Sequence, residues 1–341
     1  MSAAAAPRGL KLGSTLYSFI NPYHSRELSF EQLIAKVAEL GIGPGLEIIG
    51  FQSIRGFPQV SDEFADRFKE LMDRHRLIPS ALSINADAAI RRGRLMSTEE
   101  AVAYLEPQIR AAAKLGFPVV RSQFSAPAEV MERLVPLVEK LEIKIGPEIH
   151  APLGVNSVPV MKYRELYARL RSPFLGFVPD FGSSANSLPA SYLQMLRSRH
   201  VPEGLLSLAL SIWTGPGEPQ WKREEFNRRA SEAKADASAA SSLSVMFSML
   251  SPQKPEAWLE IMPQVVHVHG KFYDLDASGH ETSIPYEQLL PVFIKGGYDG
   301  FMSSEWEGHI YSRDSGFEAV QQHHALCRRI IRDVNAGATM N

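Results

Sequence analysis

The feature that most constrains the fold of this chain is the alternation of short apolar segments with amphipathic ones along nearly its whole length. Eight apolar segments have the length and composition of buried parallel strands: 10–19, 46–50, 80–85, 119–124, 144–150, 174–181, 265–273 and 300–307. Helical periodicity follows each of them, at 29–40, 62–75, 98–115, 128–141, 162–171, 220–250, 286–294 and 316–335. Eight βα units predict a (β/α)8 TIM barrel, an α/β fold whose functional residues lie at the C-terminal ends of the strands. A doubly wound open sheet is the competing arrangement, and the strand count and the positions of polar residues argue against it.

Local signals support individual elements. Ser29 precedes the first helix as an N-cap with Gln32 three residues later, and Leu33, Val37 and Leu40 lie on one helical face. The next segment, LEIIG at 46–50, is typical of a buried parallel strand.

The spacing breaks once. About 80 residues separate Phe181 from Val265, whereas one βα unit needs roughly 30. We therefore predict a helical insertion between strands six and seven, at about 190–260, in a single barrel domain spanning 1–341. The Ala/Ser-rich part of this insertion suits either an extra helix over the barrel or a partner-facing surface. Residues 1–9 are Ala-rich without an apolar core and are expected to form a disordered tail.

Charge and cysteine content exclude several classes. The 36 Lys and Arg nearly balance 38 Asp and Glu, which argues against a nucleic-acid surface built from clustered cations. One cysteine, Cys327, cannot form an internal disulfide. No apolar run approaches the roughly 20 residues that cross a bilayer. We expect a cytoplasmic protein that binds neither nucleic acid nor membrane.

Acidic residues and histidines recur at the ends of the last four predicted strands: Glu148 and His150, Asp180, His267 and His269, and Glu305 and Glu307. Because the strands of a parallel barrel end on the same face, these side chains are expected to converge. A single residue of this kind is more often a solvated acid or a hydrogen-bonded histidine. Four such residues at the ends of four successive strands are less plausibly a chance arrangement.

Glu148, Asp180, His269 and Glu305 form an oxygen-rich donor set with one nitrogen, which suits one divalent ion. Mn²⁺ is the first expectation, with Mg²⁺, Co²⁺ or Zn²⁺ as alternatives. The single cysteine lies in the last helix, so a structural zinc site is not expected. His267 would lie one layer deeper, as a hydrogen-bonded core histidine.

His150 shares a strand face with Glu148 and is the candidate catalytic base, since its unperturbed pKa of about 6.5 suits proton transfer near neutrality. A supporting role or a fifth metal ligand is the alternative. Arg121 is a candidate partner for one of the acids, and the pair His323–His324 reads as half-exposed helix surface. Candidate substrate-binding residues lie around the same rim: Gln52, Arg55, Gln123, Lys271, Trp306 and His309.

The motifs LGSTLYSF, PEIH, PDFG, HVHGKFYD and SSEWEG resemble the xylose-isomerase-like barrel superfamily of sugar isomerases and epimerases. The resemblance implies metal ligation by Glu148, Asp180, His269 and Glu305. Within that superfamily, LEIIGFQSIRGFP, PEIHAP and HVHGKFYD are most similar to the α (catalytic) subunit of bacterial C-glycoside deglycosidases.

That resemblance implies a metal-dependent lyase that cleaves the carbon–carbon bond of 3-oxo-C-glucosides with aromatic or flavonoid aglycones, together with a small β subunit in a hetero-oligomer. His150 would remove the C2 proton, the metal would stabilise the resulting enediolate, and the aglycone would be eliminated. The chain departs from ketose 3-epimerases, which place a second acid after the first Glu and an Arg after the His, where 152–154 and 273–275 stand here.

Several alternatives remain. A divalent-metal sugar isomerase or epimerase, or an inositol-type dehydratase, would use the same site. A non-catalytic scaffolding subunit would use only the barrel and the insertion. A DNA-repair nuclease of the same superfamily would need more metal ligands and a basic groove.

Overall fold

The structure, a computed structural model, describes residues 9–338. Of the expected tail 1–9, all but Gly9 lies outside the described residues. Among residues 9–338, no helix combines the length and apolar character that crossing a membrane requires.

Eight parallel strands curve into a nearly closed barrel, which confirms the predicted TIM barrel. In chain order they are β1 Lys11–Thr15, β2 Gly45–Ile49, β3 Ile78–Ser83, β4 Val119–Ser122, β5 Lys144–Ile149, β6 Val178–Pro179, β7 Val268–Phe272 and β8 Phe301–Trp306. Consecutive strands pair from β1 to β6, β7 pairs with β8, and β8 pairs with β1. Two single bridges, Phe177 with Val265 and Asp180 with His269, join the segments around β6 and β7. All strand C-termini therefore lie at one end of the barrel.

The helices surround the strands. They are α1 Ile20–His24, α2 Phe30–Glu39, α3 Gly50–Ser53, α4 Asp62–His75, α5 Thr98–Leu115, α6 Ala128–Leu141, α7 Val158–Leu170, α8 Ala190–Ser198, α9 Glu203–Thr214, α10 Pro219–Glu232, α11 Ala237–Met249, α12 Tyr286–Lys295 and α13 Phe317–Ala338. Short 3₁₀ segments occur at Leu16–Phe19, Phe181–Ser183, Pro255–Gln264 and Gly308–Ile310.

The start of α2 forms as its sequence predicts. The Ser29 hydroxyl accepts from the Gln32 backbone N–H, and the Gln32 side chain accepts from the Ser29 N–H. This capping box satisfies two N–H groups that the helix itself cannot pair. Leu33 and Val37 are buried against the barrel.

The first two strands approach each other closely. A Cβ atom on Gly13 would lie only 2.7 Å from the carbonyl oxygen of Gly45. Glycine at this position therefore permits the pairing of β1 with β2, since any larger residue would force the strands apart.

The helical insertion between β6 and β7 is confirmed, with corrected internal boundaries. The predicted helix 220–250 is two helices, α10 and α11, separated by a turn in which Lys234 has a φ of 52°. The Ala/Ser-rich helix α11 packs on its neighbours through Phe247, whose ring stacks on Phe226 at a centroid distance of 5.4 Å. Strand six is also shorter than predicted, because the chain turns into a 3₁₀ segment directly after Asp180.

The prediction that His323 and His324 are half-exposed is wrong. Both are fully buried, since they lie on the face of α13 that packs against β8 and β1. The His323 ring stacks on Phe272 at 4.1 Å, and its Nδ1 lies 2.8 Å from the Ser304 hydroxyl. His324 Nε2 lies 3.1 Å from the carbonyl oxygen of Gly13.

Candidate active site

Three of the predicted metal ligands converge at the C-terminal end of the barrel. Glu148 of β5, His269 of β7 and Glu305 of β8 each place one donor atom within 4.8 Å of the other two. His269 Nδ1 lies 2.5 Å from Glu148 Oε1 and 3.5 Å from Glu305 Oε1. All three side chains are buried, with at most 6% of any residue exposed. Buried carboxylates and an imidazole in such proximity are donors suited to a divalent cation.

The charges around this group are partly compensated within the protein. The Arg121 guanidinium pairs with Glu148 Oε2. Burial opposes ionisation of Glu148, but Arg121 and His269 outweigh it and hold the pKa of this carboxyl well below its usual range. Arg121 is thus the partner of Glu148, which agrees with the sequence-based expectation that Arg121 pairs with one of the acids.

Glu305 is less well compensated. Burial, together with the nearby carboxylates of Asp180 and Glu148, raises its pKa to about 8 despite the opposing charges of His269 and Lys271. Its Oε2 atom is buried and has no hydrogen-bond partner among the described residues. A bound cation would satisfy this oxygen, so the residues present fit a metal ion.

The predicted ligand Asp180 lies beside this group with its carboxylate already engaged. Its Oδ1 accepts from the Gly182 N–H at 2.6 Å, and its Oδ2 accepts from Lys271 Nζ at 2.6 Å. Asp180 is fully buried. Its part in metal binding stays a prediction.

Lys271 connects the acidic group to the candidate base. Its buried ammonium donates to Asp180 Oδ2 and, at 2.8 Å, to His150 Nε2, and it lies 3.3 Å from Glu307 Oε1. Burial alone would lower its pKa, but Asp180, Glu307 and Glu305 together raise the pKa well above its usual value. Lys271 is therefore charged at neutral pH and orders the polar groups around it.

His150 has the hydrogen-bond pattern of a neutral imidazole. Its Nδ1 lies 2.6 Å from the Ala151 carbonyl oxygen, which can only accept, so Nδ1 carries the proton. Nε2 then holds the lone pair that accepts from Lys271. About a third of the side chain is exposed, 32%. A half-buried imidazole of this kind is competent as a general base once its Nε2 lone pair is released from Lys271.

Two of the predicted substrate-binding residues lie at the C-terminal end of β8, Trp306 as its last residue and His309 three residues later. Trp306 is 5% exposed, and its Nε1 donates to the Tyr273 carbonyl oxygen at 2.9 Å. His309 is half-buried, with its ring edge-to-face against Tyr17 at a centroid distance of 4.4 Å.

Of the other four, Lys271 lies in β7 and three lie on the segments after β2 and β4. Gln52 is half-buried in α3, and Arg55 follows it as an exposed residue. Gln123 is half-buried, and its Oε1 accepts from the Ala86 N–H at 3.2 Å, which ties the segment after β4 to that after β3. Within residues 9–338, none of these three side chains forms a hydrogen bond or ion pair with the carboxylate–imidazole group.

Sequence reasoning missed two residues of the site. Glu47 of β2 is fully buried and lies 2.9 Å from His269 Nε2 through its Oε1 atom. Burial opposes its ionisation, but His269 and His267 hold its pKa well below the usual range. Tyr17 follows β1, and its hydroxyl donates to Glu307 Oε2 at 3.5 Å. The signal for Glu47 was available, since an acid within the otherwise apolar strand LEIIG needs a buried partner.

His267 occupies the deeper layer that was expected. Its Nε2 lies 3.0 Å from the Ser303 hydroxyl and 3.2 Å from Glu47 Oε2, and only 1% of the residue is exposed. Glu47, His267 and His269 also bring their donor atoms within 4.8 Å of one another.

Solved structures with the same fold include several sugar-converting enzymes. An L-ribulose 3-epimerase superimposes with a TM-score of 0.58 at 12% identity, over 97% of each chain. A xylose isomerase domain protein from Planctomyces limnophilus gives 0.55 at 13% identity, over 96% of this chain and all of the other. The IOLI protein, solved with a bound zinc atom, gives 0.51 at 14% identity, over 95% of this chain and 97% of that one. At these identities the likeness establishes the fold alone.

Sequence relatives are more specific, although no protein-family model matches the chain. The 3'-dehydrocarminate deglycosidase alpha subunit of a Microbacterium species is 43% identical over 351 residues, which cover 99% of each protein. A C-glycoside deglycosidase alpha subunit of Arthrobacter globiformis is 38% identical, over 98% of this chain and 96% of its own. Another from Microbacterium trichothecenolyticum is 36% identical, over 93% of this chain and 89% of its own. Because such identities extend over nearly the whole chain, they confirm the resemblance seen in the motifs, and the chain belongs to the family of C-glycoside deglycosidase alpha subunits.

Proposed function

We propose that this chain is the catalytic subunit of a divalent-metal-dependent lyase that cleaves the C-glycosidic bond of 3-oxo-C-glucosides with aromatic or flavonoid aglycones. The relatives' names support C-glycoside cleavage. The observation that carries the proposal is the buried group of Glu148, His269 and Glu305, with the neutral imidazole of His150 held beside it through Lys271.

The donor chemistry supports a metal at this group. Glu148, His269 and Glu305 would hold it, with Asp180 as the fourth ligand once its carboxylate turns from Lys271. We propose Mn²⁺, with Mg²⁺, Co²⁺ or Zn²⁺ as alternatives, since the set is rich in oxygen and contains one imidazole. When bound, the ion would act as a Lewis acid that polarises the oxygens of the sugar.

His150 supplies the base. The hydrogen at C2 of a 3-oxo sugar is acidic, because the electron pair left behind delocalises onto the neighbouring ketone. Once its hydrogen bond from Lys271 breaks, the Nε2 lone pair of His150 takes this proton, while its Nδ1–H stays bonded to the Ala151 carbonyl oxygen. The electron pair at C2 then forms the C1–C2 double bond as the aglycone carbon leaves C1. That carbon gains one proton, from a general acid or through a phenol tautomer, so neither water nor an oxidant is consumed.

Lys271 and Asp180 set the electrostatics of this step. Lys271 Nζ donates to His150 Nε2 at 2.8 Å, and the Asp180 carboxylate lies 3.6 Å from the same atom. The Asp180 carboxylate can therefore offset the charge that the transferred proton places on the imidazole.

Residues around the rim would bind the rest of the substrate. We propose that Gln52, Arg55 and Gln123, on the segments after β2 and β4, bind sugar hydroxyls. Trp306 at the end of β8 and His309 beyond it would form a wall against the aglycone, since the indole N–H of Trp306 is already bonded to Tyr273.

We further propose that the chain works with a small β subunit, because the relatives are named as alpha subunits. Large apolar side chains are exposed on segments that follow β3, β5 and β8. The C-terminal ends of these strands lie at the same end of the barrel as the site. They are Leu95 at 68%, Val158 at 73% and Ile310 at 44%. These residues are our candidate contacts for the β subunit.

The test is a parallel assay of the Mn²⁺-loaded chain, alone and with the co-purified partner, against a 3-oxo-C-glucoside and against free ketoses. We expect release of the aglycone, detected by its absorbance after chromatography, and no turnover of the ketoses. Ketose epimerisation without aglycone release would contradict the proposal and identify a sugar isomerase or epimerase instead.

A further inference from the structure

We propose that Glu47 is a positioning residue that holds the imidazole of His269 by its Nε2 edge, so that Nδ1 is presented to the metal-binding carboxylates. The inference rests on the proposed metal site and adds to it a residue from β2, a strand that contributes no ligand. Glu47 Oε1 lies 2.9 Å from His269 Nε2.

The two edges of the His269 ring face different groups. Nδ1 lies 2.5 Å from Glu148 and 3.5 Å from Glu305, whereas Nε2 points to Glu47. A bond from Nε2–H to Glu47 and ligation through Nδ1 can therefore exist at the same time. An imidazole that ligates through one nitrogen is oriented and made more basic by an acceptor on the other.

Glu47 is itself fixed by further hydrogen bonds. Its Oε1 accepts from the Ser83 hydroxyl at 2.7 Å, and its Oε2 lies 3.2 Å from His267 Nε2. Glu47 is fully buried, and His267 is 1% exposed. The carboxylate therefore cannot turn away to solvent, and its acceptor atom remains directed at His269.

A buried carboxylate beside two imidazoles also has a purely structural interpretation, in which Glu47 only neutralises charge in the barrel interior. The two interpretations differ in what Glu47→Leu does to metal binding. Glu47→Gln separates them further, because a Gln side chain retains an acceptor oxygen and loses the negative charge.

The measurement is a calorimetric titration of the purified, metal-free chain with Mn²⁺ alone. We expect Glu47→Leu to weaken Mn²⁺ binding by about 10- to 100-fold, and Glu47→Gln to recover a large part of that loss. Glu281→Gln is the matched control, because Glu281 is another buried glutamate, 8% exposed, that bonds to backbone N–H groups of Tyr273 and Ser283. It is expected to change folding stability and to leave the affinity for Mn²⁺ unchanged.

A spectroscopic readout addresses the ring itself. In the chain loaded with diamagnetic Zn²⁺ and labelled with ¹⁵N-histidine, the wild type and Glu47→Gln should show a slowly exchanging His269 Nε2–H proton. That signal should be lost in Glu47→Leu.

The outcomes are distinguishable. A wild type that binds no divalent ion contradicts the proposed function. If the wild type and Glu47→Leu bind Mn²⁺ equally tightly, only the inference about Glu47 is overturned. Two ions per wild-type chain, reduced to one by Glu47→Leu, would also overturn it, since Glu47 would then be a ligand together with His267.

Discussion

Replacing Lys271 by methionine tests the electrostatic network at the barrel end. The ammonium is 1% exposed and lies 2.6 Å from Asp180 Oδ2 and 3.3 Å from Glu307 Oε1. Methionine has a similar length and no charge, so Lys271→Met removes the cation without a large cavity. Asp180 is fully buried and Glu307 is 4% exposed, so neither carboxylate can recover hydration.

The cost follows from the burial of these partners. Removing one member of a buried ion pair costs about 3–5 kcal/mol, because an uncompensated charge is left in the interior. With an unfolding entropy of about 2.1 cal/mol/K per residue, that loss lowers the Tm of a chain of this length by roughly 4–7 °C.

The matched control is Lys222→Met in the insertion. Lys222 is 3% exposed, and its ammonium donates to the Trp213 carbonyl oxygen at 2.6 Å. Its removal leaves a neutral acceptor rather than a buried carboxylate, at a cost of about 1–3 kcal/mol.

The assay compares thermal and urea unfolding of the wild type and both variants at pH 7 in the presence of a chelator. The pKa of Lys271 is raised in the folded chain, so its stabilisation is complete below the unfolded value and is lost only as pH rises through the higher folded value. At pH 7 the full effect is expected. A loss below about 1 kcal/mol, or one no larger than that of Lys222→Met, would refute this reasoning.

Further predictions concern the base, the ligands and pH. His150→Ala should keep bound metal and lower kcat by about 10²- to 10⁴-fold, measured by metal analysis and aglycone release; near-wild-type turnover would show that another group is the base. Glu148→Gln should remove bound Mn²⁺ after dialysis, whereas full retention of the ion would argue against its place among the ligands. Burial raises the pKa of Glu305 from 4.5 to about 8, so between these values the folded metal-free chain holds a proton that the unfolded chain has lost. The stability due to Glu305 is therefore present below about pH 4.5 and lost as pH rises towards 8. Between pH 5 and 8, the Tm of Glu305→Gln should fall less steeply with pH than the Tm of the wild type. Equal slopes would contradict the assignment.

The barrel could be predicted from sequence because its signals are local and repeated. Ser29 and Gln32 form a capping box within four residues, and the apolar length of β2 suffices to indicate a buried parallel strand. The shortness of β6 could not be predicted from such local signals. The length over which β6 pairs with β5 depends on where the chain turns after Asp180. Likewise, the buried state of His323 depends on Phe272 and Ser304, which are distant in sequence.

The candidate site was predictable to the extent that strand ends identify it. Glu148, His269 and Glu305 converge because parallel strands end together. The sequence indicated Arg121 as a partner for one of the acids but not that the acid is Glu148, 27 residues away. It did not indicate Glu47, which reaches His269 across 222 residues. Such pairs are set by the closure of the barrel rather than by any motif.

The fate of the hydrogen at C2 tests the proposed elimination most directly. The metal-loaded chain, with its partner, would be given a 3-oxo-C-glucoside carrying deuterium at C2, and mass spectra of the sugar product and of unreacted substrate would be compared. We predict that the product has lost the C2 deuterium while unreacted substrate retains it, and that His150→Ala slows the release of aglycone and of label to the same extent. A released sugar that still carries deuterium at C2 would contradict proton removal by His150 and the lyase mechanism with it.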